Sequence, residues 1–317
     1  MKEKFDILVV GELNVDLILD EIKSFPEIGT EIISDKMTLS LGSSSAILAS
    51  NISVLGSKTA FAGMMGDDSF GQLILSSLSS KNVNTEFISV DKTQKTGASI
   101  ALNYGEDRAM VTFPGAMKEY SLKDIPQEAF YSAKHLHLSS PFLQDNIKKD
   151  IIPLYKMAKE AGMTTSLDVQ WDPENRWDID FEKLLPLVDV FLPNQSELFA
   201  ISKMSSVERG LKSLTGLSKT VVVKMGADGS ALSENGKITF FKPFKNNNLK
   251  DAIGAGDSFN SGFLHAMIKG YDLASCMEMG NLMGAINTTA RGGTGAFTSL
   301  DEVKERAKKF FNKDINF

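Results

Sequence analysis

Short apolar runs alternate with longer helix-like stretches along the first two thirds of the chain. Residues 7–10, 59–62, 136–138, 164–168, 190–193 and 221–225 each read as a strand, with little polar interruption except in Thr164-Thr165-Ser166-Leu167-Asp168. Strands of that kind are buried on both faces, which requires cover on both sides of a sheet. Residues 44–55, 69–81, 147–161, 197–202 and 207–215 carry helical patterning between them. The alternation predicts an α/β fold with a mostly parallel sheet flanked by helices. Residues 257–269, 273–289 and 300–311 read as three helices in succession. At 317 residues, with 42% hydrophobic and 23% charged, the chain affords a large core without cross-links.

Two stretches break the alternation. Residues 16–41 hold Leu17-Ile18-Leu19 and Glu31-Ile32-Ile33, separated by Pro26 and Gly29. Residues 96–113 hold apolar runs at 98–103 and 109–113, with turn chemistry at Gly105-Glu106-Asp107. Both read as hairpins of half-exposed strands. They are either plain surface excursions or a small β-sheet lid, formed by residues 14–41 and 96–114, that closes over a substrate and excludes water. The lid is the reading adopted, within a single domain over residues 1–317.

Charge and cysteine content narrow the setting. The net charge is −6, the sequence isoelectric point about 5.3, and no run is rich in lysine or arginine. Nucleic acid is therefore not an expected partner. The lone cysteine, Cys276, excludes an intrachain disulfide and fits a reducing compartment. The apolar run at 7–10 is too short for a signal-peptide core, and no stretch approaches the roughly 20 residues of a bilayer span. A cytoplasmic protein without membrane contact is expected.

The segment Asp251-Ala252-Ile253-Gly254-Ala255-Gly256-Asp257-Ser258-Phe259 carries the chemistry. Small residues crowd a turn, and an apolar helical run follows at once. Backbone N–H groups at a helix start lack internal partners, and the helix dipole adds positive potential there. Glycine lets an anion approach that backbone, so the turn suits a phosphoryl group. An acidic residue beside a phosphate site repels the ligand, so Asp257 makes little sense as a binder. It makes sense as a base that takes a proton from an attacking hydroxyl. On a bare Gly-x-Gly-Asp, a helix-capping Asp would be the better reading. The longer string and its companions favour the base.

Residues 251–257 resemble the Asp-Thr-x-Gly-Ala-Gly-Asp pattern of the ribokinase-like (PfkB) carbohydrate kinases, with further motifs in the family's order over nearly the whole chain. The resemblance implies a ribokinase-like three-layer α/β/α sandwich that phosphorylates a hydroxyl of a small sugar or sugar derivative with ATP. It assigns the base to Asp257 and the anion hole to the Gly254, Ala255 and Gly256 backbone. Ala252 and Ile253 depart from the family's usual threonine-containing pair. Asn194-Gln195-Ser196-Glu197 matches its Asn-x-x-Glu motif. There Asn194 and Glu197 would hold the water shell of Mg²⁺, although the same spacing is a helix-capping box. Residues 221–230 resemble its nucleotide loop and bring Lys224, Gly226 and Gly229 near ATP, as does the helix containing Asn281. A simple hairpin turn would use the same glycines. Carbonyls near Asp251 and Ile253 are where relatives often bind a monovalent cation such as K⁺.

On the acceptor side, the resemblance gives Asp16 to substrate hydroxyls, with Asn14 close by; a turn-forming pair is the plain alternative. Gly42-Ser43-Ser44-Ser45-Ala46 resembles the family's first motif, with Ser43 at its second glycine and Ile47 at its asparagine. An N-capping serine cluster would look the same. The stretch from Asp168 to Trp177 matches an Asp-x-Asn-x-Arg run only loosely, and Ser139 lies where ribose-specific relatives place a glutamate. Ile47 in place of the asparagine and Ser139 in place of that glutamate argue against copying the ribose assignment. His135, His137 and His265 show no metal-ligand spacing, and Met277, Met279 and Met283 read as core filler. Arg108 reads as a solvated turn residue. A nucleoside kinase of the same fold would need an apolar slot from Ile47, Phe113 or Trp171. A non-catalytic sugar-binding regulator would be expected to lack the base. Lid edges in the family often pair across a dimer, so a homodimer is expected.

Overall fold

The computed structural model describes residues 4–104 and 107–315. In chain order its strands are β1 (Phe5–Val10), β2 (Asn14–Asp20), β3 (Lys36–Leu41), β4 (Thr59–Gly66), β5 (Asn84–Asp91), β6 (Gly97–Tyr104), β7 (Asp107–Phe113), β8 (Ala133–Ser139), β9 (Thr164–Asp168), β10 (Val190–Phe191), β11 (Thr220–Lys224), β12 (Ser230–Glu234) and β13 (Lys237–Phe241). Nine of them form one sheet in the order β13-β12-β11-β10-β9-β8-β1-β4-β5. It is parallel from β11 to β5, and β12 and β13 extend it as an antiparallel edge.

The central strand shows why these runs are almost continuously apolar. Leu8 and Val10 of β1 enter one core with Leu136 and Leu138 of β8, and Ile7 and Val9 enter the opposite core with Leu48 and Phe263. Successive side chains point to opposite faces, so a strand packed on both sides has no polar positions to spare. Each such aliphatic side chain contributes about 2 kcal/mol on burial. Met277 and Met283 are fully buried, as core filler should be.

The chain starts in the middle of this sheet, builds β4 and β5 on one side, then returns to build β8 to β11 on the other. Strand order therefore reverses at β1. The carboxyl ends at such a reversal leave a crevice that helices do not fill. Glu12, Ser140, Asp168, Asn194 and Lys224 all stand at or just beyond these carboxyl ends.

The second sheet has four strands in the order β3-β2-β6-β7, with β2 and β6 parallel. It comes from the two stretches that broke the alternation, with one shift. The return strand is Lys36–Leu41, and Glu31-Ile32-Ile33 is not a strand. Met37, Leu39 and Leu41 alternate with polar residues in register with Leu19, Leu17 and Val15. The Glu-Ile-Ile triplet lacks that period of two, and Ile33 is exposed. Gly105 and Glu106 of the expected turn, and the side chain of Arg108, lie outside the described residues. On the inner face, Ile18 and Ala101 pack with Ile253, which ties this sheet to the turn before Asp257.

Sequence reading also missed β5, β12 and β13. β5 and β13 are edge strands with mixed burial, and β12 is buried but carries Ser230, Ser233 and Glu234, so the apolar signal is weak in all three. The glycine-containing turn at residues 226–229 joins β11 to β12 as a hairpin.

Candidate active site

Two cavities open at the carboxyl ends of the sheet and share a wall. One, of about 530 Å³, lies between the 226–229 turn and the helix Leu273–Asn287, with Phe244, Leu249, Asn281 and Ala285 in its lining. The other, of about 900 Å³, lies under the four-stranded sheet and is lined by Glu12, Asn14, Asp16, Ser99, Gln170 and Asp257, among others. Lys224, Gly226, Ala252 and Gly256 line both.

At that wall begins the helix Ala255–Ile268. Gly254 precedes it at φ +74°, and a Cβ there would lie 2.4 Å from the Gly293 Cα. Only glycine meets both demands. The Ala255 amide donates to the Ala252 carbonyl at 3.2 Å. The amides of Gly254, Gly256 and Asp257 have no backbone acceptor among the described residues.

Asp257 is buried in the first turn of this helix and turned toward the larger cavity. Its Oδ1 accepts from Ser44 Oγ at 2.5 Å and from Gln170 Nε2 at 3.0 Å. Burial pushes its carboxyl up to about 7, and the charges of Asp168 and Glu12 act in the same direction. Lys224 and Asp168 form a buried ion pair beneath it. Although burial disfavours the ammonium, the carboxylates of Asp168, Glu197 and Asp257 hold it charged and raise its pKa. Asp168 Oδ2 also accepts from Asn260 Nδ2 at 2.5 Å.

Asn194 and Glu197 form a complete capping box at the start of the helix Gln195–Ser202. The Glu197 carboxylate accepts from the Asn194 amide at 2.8 Å and from Asn194 Nδ2 at 2.5 Å. Burial, then the nearby Asp168, pushes Glu197 up to about 8. Three carboxylates, Asp168, Glu197 and Asp257, thus surround one ammonium. Among the described residues no group of three or more His, Cys, Asp or Glu side chains is placed to ligate a metal directly.

The sequence matches the model of the pfkB family carbohydrate kinase over residues 4–299. The chain belongs to that family. It is 25% identical over 322 residues to a 5-dehydro-2-deoxygluconokinase of Geobacillus thermodenitrificans, covering 96% of this chain and 93% of that one. Its fold is like that of Arabidopsis thaliana ribokinase complexed with ribose and ATP, with a TM-score of 0.81 at 24% identity, covering 96% of this chain and 99% of the other. A putative ribokinase II from E. coli, in complex with ATP and Mg²⁺, gives 0.84 at 21% identity with the same coverage.

In this carbohydrate kinase the remaining sequence-predicted residues fall on two sides of the shared wall. Asn14, Asp16 and Ser43 line the larger cavity. Asn14 Nδ2 donates to Asp16 Oδ1 at 3.1 Å and to Ser99 Oγ at 3.0 Å. Gly42 packs so closely on this pair that a Cβ would lie 2.3 Å from Asp16 Oδ1. Ser43 sits at φ +68°, the conformation for which the family's glycine is suited. Its hydroxyl compensates by donating to the Glu12 carbonyl at 2.5 Å and accepting from the Ala46 amide at 2.9 Å.

Gly229 and Asn281 belong to the smaller side, and Gly226 to the wall between the two. Gly226 and Gly229 line the smaller cavity, and Asn281 Nδ2 reaches Ser230 Oγ at 2.8 Å. Asp251 caps the amides of Ile253 and Gly292 at 2.9 and 2.8 Å, and the Ile253 carbonyl accepts from Asn287 Nδ2 at 2.6 Å. The histidines are buried in the core; His135 and His137 join Ser139, Thr164 and Ser166 in a hydrogen-bonded ladder between β8 and β9. Of the three apolar candidates, Ile47 and Trp171 line the larger cavity and Phe113 does not.

Sequence reading assigned no role to Glu12, Ser44 or Gln170. Glu12 is fully buried in the wall of the larger cavity, held by Ser45 Oγ at 2.5 Å, and burial pushes it up to about 7. Its only signal was its place directly after Gly11, the glycine that follows β1.

Proposed function

We propose that this chain transfers the γ-phosphoryl group of ATP to a hydroxyl of a small sugar or sugar derivative, with Asp257 as general base. One observation carries the reading: a buried carboxyl stands where two cavities meet, on the acceptor side of a helix start with free amides. ATP occupies the smaller, largely apolar cavity, with its phosphates toward Gly226, Gly229 and Lys224 and its base beside the helix of Asn281. The sugar occupies the larger cavity beneath the lid, read by Asp16, Asn14 and the Gly42-Ser43 turn. Asp257 takes the hydroxyl proton as the oxygen attacks. The Gly254–Asp257 turn holds the charge of the transferring group.

A divalent cation suits the shared wall because Asp257 and Asn194 line the cavity beside it, backed by the buried carboxylates of Asp168 and Glu197. Asn194 and Glu197 would hold Mg²⁺ through water, and the ion's contribution is to neutralise phosphate oxygens. A monovalent cation such as K⁺ is proposed beside Asp251 and Ile253. Asp257→Asn should reduce ADP release with Mg²⁺-ATP by about 10²–10⁴-fold across a panel of sugars. Near-normal turnover would reject the base. Running the panel with and without K⁺ tests the cation.

A nucleoside kinase of the same fold is the second reading, and Trp171 favours it. This half-exposed ring lines the acceptor cavity and is held edge-on by Trp177 at 5.3 Å. A flat base could stack there. Faster turnover with adenosine than with any sugar would select it. We also propose a cytoplasmic homodimer. Leu39, Leu17, Ile100 and Val111 form an apolar row across the outer lid face, three of them exposed. Ile100→Lys should then give a monomer by ultracentrifugation, while an unchanged state would reject that face.

A further inference from the structure

The two oxygens of Asp257 have different surroundings. Oδ1 accepts from both Ser44 and Gln170. Among the described residues no donor lies within hydrogen-bonding distance of Oδ2. Ser44 opens the helix Ser44–Val54, which packs against the helix of Asp257 and bonds to it from Asn51 to Ser258 at 2.9 Å. Gln170 stands just beyond β9 at φ +54°, a conformation that costs a non-glycine residue about 1 kcal/mol or more.

Gln170 is held there by its contacts. Its amide N–H donates to Asp168 Oδ1 at 3.2 Å. Its side-chain Nε2 lies 3.2 Å from Asp168 Oδ2, 3.0 Å from Asp257 Oδ1 and 2.9 Å from Ser44 Oγ. Two hydrogens are thus shared among three oxygens. The opposite amide orientation would set Oε1 against two carboxylates, so chemistry fixes the nitrogen here. The Ser44 hydroxyl has one hydrogen. Given to Asp257, it leaves the Ser44 oxygen to accept from Gln170. The clamp rests on the Asp168–Lys224 ion pair, whose geometry the core fixes.

We infer that Ser44 and Gln170 are positioning residues that pin Oδ1 of Asp257, so that Oδ2 alone is presented to the acceptor hydroxyl. The inference rests on the proposed role of Asp257 as base. Two donors on one oxygen remove the freedom of a carboxylate to rotate and exchange its oxygens. When the acceptor O–H bond breaks, the proton goes to Oδ2. The electron pair stays on the oxygen that bonds to phosphorus, and the bond from phosphorus to the departing diphosphate breaks.

The same two donors favour the ionised carboxylate against burial. Asp168, Glu12 and Glu197 oppose ionisation of Asp257 and Lys224 favours it. Asp16 lines the same cavity. Ser44→Ala and Gln170→Ala leave all five in place, so a change in the titration of Asp257 reads the clamp itself.

Two measurements on the full chain test this. The first follows the ¹³Cγ signal of Asp257 against pH in aspartate-labelled protein, assigned by its loss in Asp257→Asn. It needs no acceptor. Its midpoint should rise by about half a pH unit or more in Ser44→Ala and in Gln170→Ala, and Ser44→Thr should restore it. The second follows ADP release from Mg²⁺-ATP with D-ribose, D-fructose, adenosine and water as acceptors. Turnover should fall roughly 10- to 100-fold in each alanine variant at unchanged KM for ATP, with the acid limb moved to higher pH. If Gln170→Ala does not fold, Ser44→Ala against Ser44→Thr decides. An inactive Asp257→Asn beside a Ser44→Ala of parental midpoint and turnover overturns the clamp. An active Asp257→Asn overturns the base itself and leaves the titration to stand alone.

Discussion

The two cavities differ in what their walls are made of. The side proposed for the nucleotide is mostly glycine and apolar side chains, with Lys224 at its inner edge and Lys245, Asn246, Asn247, Asn281 and Thr288 as its other polar residues. The acceptor side buries Glu12, Asp16 and Asp257 within one cavity, and its lysines are Lys224 and Lys118. Lys224 is bound to Asp168, and Lys118 pairs with Asp145 at 3.4 Å near the rim. In the proposed function, one side fits shape and would receive phosphate on main-chain amides. The other would read hydroxyls with carboxylates, which costs stability because burial opposes their charge. On that reading, recognition of ATP is compatible with a quiet core, whereas recognition of the sugar stores electrostatic strain.

The sharpest break between the sides comes from pairing two substitutions. Asp257→Asn should lower turnover by orders of magnitude and leave ATP affinity by calorimetry within about threefold. Asn281→Ala removes the bond to Ser230 and should raise KM for ATP several-fold, about 1 kcal/mol, with acceptor KM unchanged. If both constants move in both variants, the division is wrong.

Lys224 belongs to both sides, so its loss should not divide. Lys224→Met leaves Asp168 buried without its cation and should lower the unfolding free energy by about 3–5 kcal/mol in urea. A loss below about 1 kcal/mol would show that Asp168 finds other compensation.

The stored strain predicts a pH signature. Asp257 moves from 3.8 to about 7 and Glu12 from 4.5 to about 7 on folding. Between those values the folded protein keeps protons that the unfolded chain has released, so stability falls as pH rises and levels off above about 7. Asp257→Asn and Glu12→Gln should therefore gain thermal stability over the parent progressively from pH 4 to 7. Turnover should rise with pH through about 7, because the base acts ionised. A flat difference in melting temperature would remove the strain from the acceptor side.

The smallest effect is expected at Ser43. Ser43→Gly relieves the positive φ but loses the hydroxyl's two bonds, so stability should change by no more than about 1 kcal/mol. Acceptor KM is the finer probe of whether the turn is rigid.

Much of the frame was legible because it depends on neighbours along the chain. The apolar run at 7–10 is β1, and the glycine-rich segment before Asp257 is the start of a buried helix. Periodicity, capping and glycine placement are local, so the long helices and the central parallel strands lie nearly where those signals put them. The return strand of the four-stranded sheet shifted because its register answers to β2, across the sheet.

The environment of Asp257 was set differently. Ser44 and Asp257 are 213 positions apart, Gln170 and Asp257 87, and Lys224 and Asp168 56. The sequence by itself determined the central parallel strands and the long helices, where the glycine turn falls and that an aspartate follows it. Only the tertiary structure decided which side chains meet that aspartate, because strand order and crossover packing bring distant segments to one crevice. Their hydrogen bonds and charges depend on separations through space that no local pattern encodes.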